Sequence, residues 1–127
     1  MSLTESQHTG EFILAEPEPK ISRKNVTVTV AAGAKLQPGH VLSKLAATDK
    51  YVEYDNAGTD GSEAAAGVLY NECDNTDGVA PVDFAAVALV RLAAVRKSDL
   101  KWASGVDSGG KTAAYSDLAA SMLIAQD

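Results

Sequence analysis

The side chains from which catalytic and metal sites are usually built stand far apart in this chain. Its two histidines are His8, in a polar N-terminal stretch, and His40, beside a turn. The one cysteine is Cys73. Zinc of the structural type needs Cys and His pairs at short spacing, and Cys73 has no such partner; it reads as a small hydrophobe at a strand end. No Gly-x-Ser-x-Gly elbow is present to expose a nucleophile, and a lone histidine at a strand start reads as packed or solvated.

The acidic loops come closest to a ligand set. Asp55-Asn-Ala-Gly-Thr-Asp-Gly61 resembles a calcium loop at first sight. Aligned on the EF-hand, however, it puts glycine at a ligand position and Gly67 where the bidentate glutamate belongs. Asp74-Asn-Thr-Asp-Gly78 fails in the same way, with Phe84 at the glutamate position. Turn chemistry accounts for both, because Asp and Asn side chains bond backbone amides two residues on. Ser108-Gly-Gly-Lys-Thr112 ends like a phosphate-binding loop but lacks the earlier glycine and the apolar strand that should feed it. No constellation emerges; we expect no enzyme, cofactor or metal.

Composition narrows the remaining classes. At 127 residues one domain is expected, with enough chain for a core without staples. The apolar fraction is 46%, but much of it is alanine, and the aromatics are two Phe, four Tyr and one Trp, which predicts a light, closely spaced core. The net charge of −6 argues against nucleic acid, whose backbone is bound by clustered Lys and Arg. The short basic groups Lys20-Ile-Ser-Arg-Lys24 and Arg96-Lys97 have acidic neighbours and read as solvated surface. Without an apolar h-region in the first ten residues, and without a run near the ~20 apolar residues that span a bilayer, neither export nor a membrane partner is expected. A single cysteine forms no intrachain disulfide. Asn25-Val-Thr27 fits the glycosylation pattern, but reads here as strand sequence.

The elements follow from periodicity. Asn25-Val-Thr-Val-Thr-Val30 alternates strictly, so a half-buried strand is predicted, broken by Ala31-Ala-Gly33. Leu36-Gln-Pro-Gly39 carries Pro then Gly, as a type II turn requires. Strands are expected over His40–Leu45, Tyr51–Tyr54 and Gly67–Tyr70. Val79 to Val95 reads as one long strand, with Val82, Phe84, Ala86, Ala88, Val90, Leu92 and Ala94 on a single face. Ser98 should cap a short helical turn leading to Trp102, and Gly105 to Gly110 should be a flexible loop. A helix is predicted over Lys111–Ala120, with Ala114, Leu118 and Ser121 along one side, followed by a terminal strand at Met122–Ala125. The class is mainly β (α+β).

Two stretches stand out within this frame. Gly58-Thr-Asp-Gly-Ser-Glu-Ala-Ala-Ala-Gly-Val-Leu69 passes from a turn, with Gly58 and Gly61 available for positive φ, into Ala64, Ala65, Ala66 and Gly67. Those four small residues form a packing hub that another backbone can approach, from within the domain or from a neighbouring subunit. The second stretch is Glu11, Phe12, Ile13, Leu14, Ala15 and Glu16, an apolar strand former set off by Pro17 and Pro19 behind a polar tail expected to be mobile. It reads either as a strand awaiting a partner's sheet edge or as a first strand folded back on its own domain. On the former reading residues 1–20 are a flexible arm and residues 21–127 a β-rich domain.

The chain resembles the head decoration proteins of tailed bacteriophages, the lambdoid capsid-stabilising family. The resemblance rests on Gly10-Glu-Phe-Ile-Leu-Ala-Glu16 with Ser22-Arg-Lys-Asn-Val-Thr27, on Leu36-Gln-Pro-Gly-His-Val-Leu42, and on Asp60-Gly-Ser-Glu-Ala-Ala-Ala-Gly-Val-Leu69. Leu100-Lys-Trp102 and Met122-Leu-Ile124 add weaker support. Ala103 departs from the pattern, since some relatives have proline there. The resemblance implies a compact β-tulip with short helices, forming homotrimers at the three-fold and quasi-three-fold positions of the expanded head. Such trimers clamp the major capsid protein against the pressure of packaged DNA, on the outer capsid surface of the virion, after synthesis in the host cytoplasm. The N-terminal arm of such proteins orders by adding to a capsid-protein strand, and deleting residues 1–16 is then expected to abolish shell binding and leave a folded trimer. The competing classes are another virion component, such as a tail or fibre module, and a small enzyme or carbohydrate-binding module, for which the few scattered aromatics are a poor fit.

Overall fold

The fold is that of a computed structural model, which describes residues 12–127. Among the described residues, ten strands and two α-helices follow in the order β1 (Ile13–Ala15), α1 (Pro19–Ser22), β2 (Arg23–Val30), β3 (Lys35–Leu36), β4 (Val41–Lys44), β5 (Tyr51–Glu53), β6 (Ala65–Leu69), β7 (Cys73–Asp74), β8 (Val82–Leu89), β9 (Ala93–Arg96), α2 (Ser108–Ala119) and β10 (Leu123–Gln126). A closed barrel runs β2-β5-β4-β6-β8. It is antiparallel except where β2 meets β5, a single parallel pair at Val28 and Tyr51. Beside it lies a three-stranded sheet in the order β1-β9-β10, and β3 pairs with β7. The chain is mainly β, as its alternation predicts.

Two cores explain why so many adjacent residues are apolar. Side chains alternate across a strand, so a barrel wall buried on both faces hides consecutive positions. Leu42, Leu69 and Ala88 point into the barrel with Val26, Val28 and Val30 of β2. Their neighbours Val41, Val68 and Leu89 point the other way, into a core completed by Phe12, Tyr54, Val95, Leu100, Ala114, Leu118 and Leu123. The second core lies between the barrel wall, α2 and the small sheet. Burying a Leu or Val side chain is worth about 1.5–3 kcal/mol, so each wall strand stabilises both compartments.

Glycine has defined work at two turns and one close approach. Gly39 has φ +93 in the turn closed by the His40 amide on the Gln37 carbonyl, the left-handed site that type II geometry demands. Gly61 has φ +109, and a Cβ there would lie 2.6 Å from the Lys44 carbonyl oxygen. At Gly67 a Cβ would lie 2.8 Å from the Leu89 carbonyl oxygen, so the hub is small because β8 passes against it. Gly58, in contrast, does not take positive φ; its space is filled by the Ser62 side chain.

Four expectations are corrected. The stretch Val79 to Val95 is two strands, because Leu92 takes φ +51 and turns the chain onto the small sheet. Ala93 and Val95 face inward there, not Ala94. Ser98 caps nothing: the 3-10 turn Lys97–Asp99 follows Arg96 with no side-chain cap. The Gly105–Gly110 loop is shorter than expected, since α2 starts at Ser108 with Asp107 accepting the Gly110 amide at 2.8 Å. Finally, Pro17 and Pro19 do not detach the segment before them. Pro19 opens α1, and Phe12 to Glu16 lies back on the domain. The arm expected over residues 1–20 is therefore built into the fold from Phe12 onward, while residues 1–11 fall outside the described residues.

Candidate functional site

The side chains with chemical potential are occupied in structure. His40 is buried, and its Nε2 lies 2.8 Å from Glu53 Oε2. That hydrogen bond, against the opposing effect of burial, holds the Glu53 carboxyl below its ordinary value. The pair ties the start of β4 to the end of β5, and the Ser43 hydroxyl donates to the Ser62 carbonyl. Cys73 is buried beside Leu36, and burial, with Glu72 nearby, pushes its thiol up. Asp55, Asp60 and Asp74 accept the amides of Ala57, Ser62 and Thr76, which is the turn chemistry that their spacing predicts. Among the described residues no group of three or more His, Cys, Asp or Glu could hold a metal ion. Lys111 and Thr112 lie within α2, where the Thr112 hydroxyl donates to the Ser108 carbonyl.

The small sheet has a different character, because both of its faces are apolar. Val95, Ala93 and Leu123 fill the inner side. On the outer side Leu14, Leu92, Met122 and Ile124 are 39, 37, 64 and 40% exposed. A groove of about 300 Å³ runs among Ala15, Pro17, Leu92, Ala94 and Met122. Leu92 (φ +51) and Met122 (φ +61) are both left-handed, a region where a non-glycine residue is uncommon and worth explaining. Their backbones interlock: the Leu92 amide donates to the Ser121 carbonyl, and the Ala93 amide to the Met122 carbonyl. Two strained corners thus hold two large apolar side chains in water, the kind of arrangement that accompanies binding surfaces.

The segment predicted as a docking strand forms one rim of this sheet. Ile13 pairs with Val95 and Ala15 with Ala94, with an irregularity between them that pushes Leu14 outward. Phe12 is fully buried in the second core, and its carbonyl accepts the Arg96 amide. At the other end Glu16 accepts the Ser22 hydroxyl at 2.6 Å and Arg23 through Nε and Nη2, the latter at 2.7 Å. Arg23 in turn lies 4.2 Å over the Tyr70 ring. Burial acts to raise the Glu16 pKa, but the bonds from Arg23 and Ser22 outweigh it and leave the carboxyl below its ordinary value. Sequence reasoning missed this cluster; its one signal is an acid six and seven residues before a Ser-Arg pair.

The model of a known family, bacteriophage lambda head decoration protein D, matches residues 2–123. The chain belongs to this family. No curated protein matches it. Decoration family proteins are structural components of the phage capsid, so the association with a capsid and the place in the virion follow for this chain. Of the hub, Ala65 and Gly67 are buried within the domain and Ala66 packs against the barrel core. Of these four residues, Ala64 alone is exposed.

Proposed function

We propose that the protein is a cementing protein, binding as a homotrimer at the three-fold positions of the expanded head and stabilising it against packaged DNA. The observation that carries the reading is the family match across residues 2–123. Within the segment Glu11–Glu16, the shell contact is assigned to the Ile13 edge and Leu14, and to the apolar sheet that they join. Support comes from exposed Leu14 and from the rim position of β1. Arg96 bonds the Phe12 carbonyl, so alternation along an antiparallel pair turns the amide and carbonyl of Ile13 away from β9. A strand of the major capsid protein laid along that edge gains main-chain hydrogen bonds, with Leu14 and its neighbours as apolar anchors. Three such contacts on one trimer raise affinity through effective concentration, and cyclic symmetry matches a three-fold site.

Co-sedimentation with cognate decoration-free expanded capsids and with unexpanded procapsids tests the reading. Saturable binding to expanded shells alone, in multiples of three per site, is expected. Failure to bind the cognate expanded shell would overturn it in favour of another virion role.

A further inference from the structure

The Glu16–Arg23 pair is more than a loop fastening. Arg23 is the first residue of β2 and pairs with Leu89 in the barrel wall. Ser22 is fully buried, and its carbonyl accepts the Val90 amide at 2.9 Å. Glu16 is therefore bonded to the point where β2 enters the barrel wall, although it follows a three-residue strand with irregular pairing. Its side chain is only 8% exposed, and the guanidinium grips it as a fork, the geometry that adds direction as well as attraction. Pro17 and Pro19 restrict the connecting loop, which lowers the entropy cost of closing it. Between this grip and the buried Phe12 ring, β1 is pinned at both ends while Leu14 bulges outward.

We propose that Glu16 and Arg23 are the positioning pair for capsid contact: their clamp holds β1 against β9, so that the Ile13 edge and Leu14 meet the shell as a preset strand. The inference rests on the decoration reading above. A preset strand loses less freedom on binding than a loose one, so the clamp favours affinity without touching the partner. Neither residue is assigned a contact with the shell. Their effect passes through the strand between them.

The test combines amide exchange with capsid co-sedimentation on the full-length protein. Glu16→Gln, which keeps the shape and removes the charge, is expected to speed exchange of the Arg96 amide, which donates to the Phe12 carbonyl across β1 and β9, at least tenfold and leave the β2 and β8 amides unchanged. It should weaken binding to cognate expanded capsids by a similar factor. The charge-swapped pair Glu16→Arg with Arg23→Glu should recover a large part of both losses. Arg23→Lys, which keeps the charge and loses the fork, is the milder variant if Glu16→Gln does not fold. Faster exchange with unchanged capsid affinity would overturn the positioning role, and unchanged exchange would overturn the clamp itself. Loss of binding by the wild-type protein would instead overturn the decoration reading, and this proposal with it.

Discussion

The Tyr54 hydroxyl donates to the Gly110 carbonyl at 2.8 Å, joining the end of β5 to the first turn of α2 across 56 residues. Burial, with the charges of Asp117, Asp107 and Asp55, raises the phenol pKa, so Tyr54 remains a donor throughout the neutral range. Trp102 stands edge-on to Tyr54 at 6.2 Å and to Tyr115 at 5.7 Å, continuing the contact along the helix. Tyr54→Phe keeps the ring and deletes the bond. The expected loss is about 1–2 kcal/mol, read from urea unfolding, because the carbonyl partner stays buried. A loss under a few tenths would show that the bond contributes nothing net.

Gly67→Ala tests the close approach of β6 and β8. The new methyl carbon would sit 2.8 Å from a backbone oxygen, which cannot swing aside as a side-chain tip can. Overpacking of this kind costs about 1–3 kcal/mol, and the thermal midpoint should fall accordingly. A neutral result would mean that the strands separate freely at this point. Asp117 Oδ2 accepting the neighbouring Ala65 amide at 3.1 Å argues against such freedom.

Truncation separates the arm from the core. With Phe12 buried and Glu16 clamped, deleting residues 1–16 should cost about 3–5 kcal/mol from the lost phenyl group alone. This revises the expectation that the deletion leaves a folded trimer. Denaturant midpoints of the truncated and full-length proteins decide the matter; equal midpoints would return residues 12–16 to a detachable arm.

Acid should loosen the N-terminal segment. Glu16 has a folded pKa below its unfolded value, which is about 4.3 for an ordinary glutamate. Between the two values the unfolded chain binds the extra proton. The contribution is therefore complete above the unfolded value and is lost as pH falls through the folded one. Glu16→Gln should be less stable than the wild type at neutral pH, with a gap that closes in acid. Unfolding curves of both proteins from about pH 7 to pH 3 measure it; a gap that stays constant would assign the effect to packing.

Periodicity made most of the barrel legible. The alternating Val26, Val28 and Val30 declared β2 and its buried face, and the Pro38-Gly39 pair declared the turn into β4. Where alternation failed, the cause was a change of partner. Val82 to Ala94 holds a single period, yet the chain leaves the barrel at Leu92, because the small sheet offers Ala93 and Val95 a second core. No local signal records that second surface.

The sequence by itself determined most of the barrel strands, the Pro38-Gly39 turn and, through its motifs, the family, since each depends on neighbours in the chain. The tertiary structure alone decided where Phe12 goes, which oxygen Gly67 must admit, and that Glu16 closes on Arg23. Those are contacts between segments that composition and period leave equally free. Burial and hydrogen bonding choose among them only when the whole barrel is present.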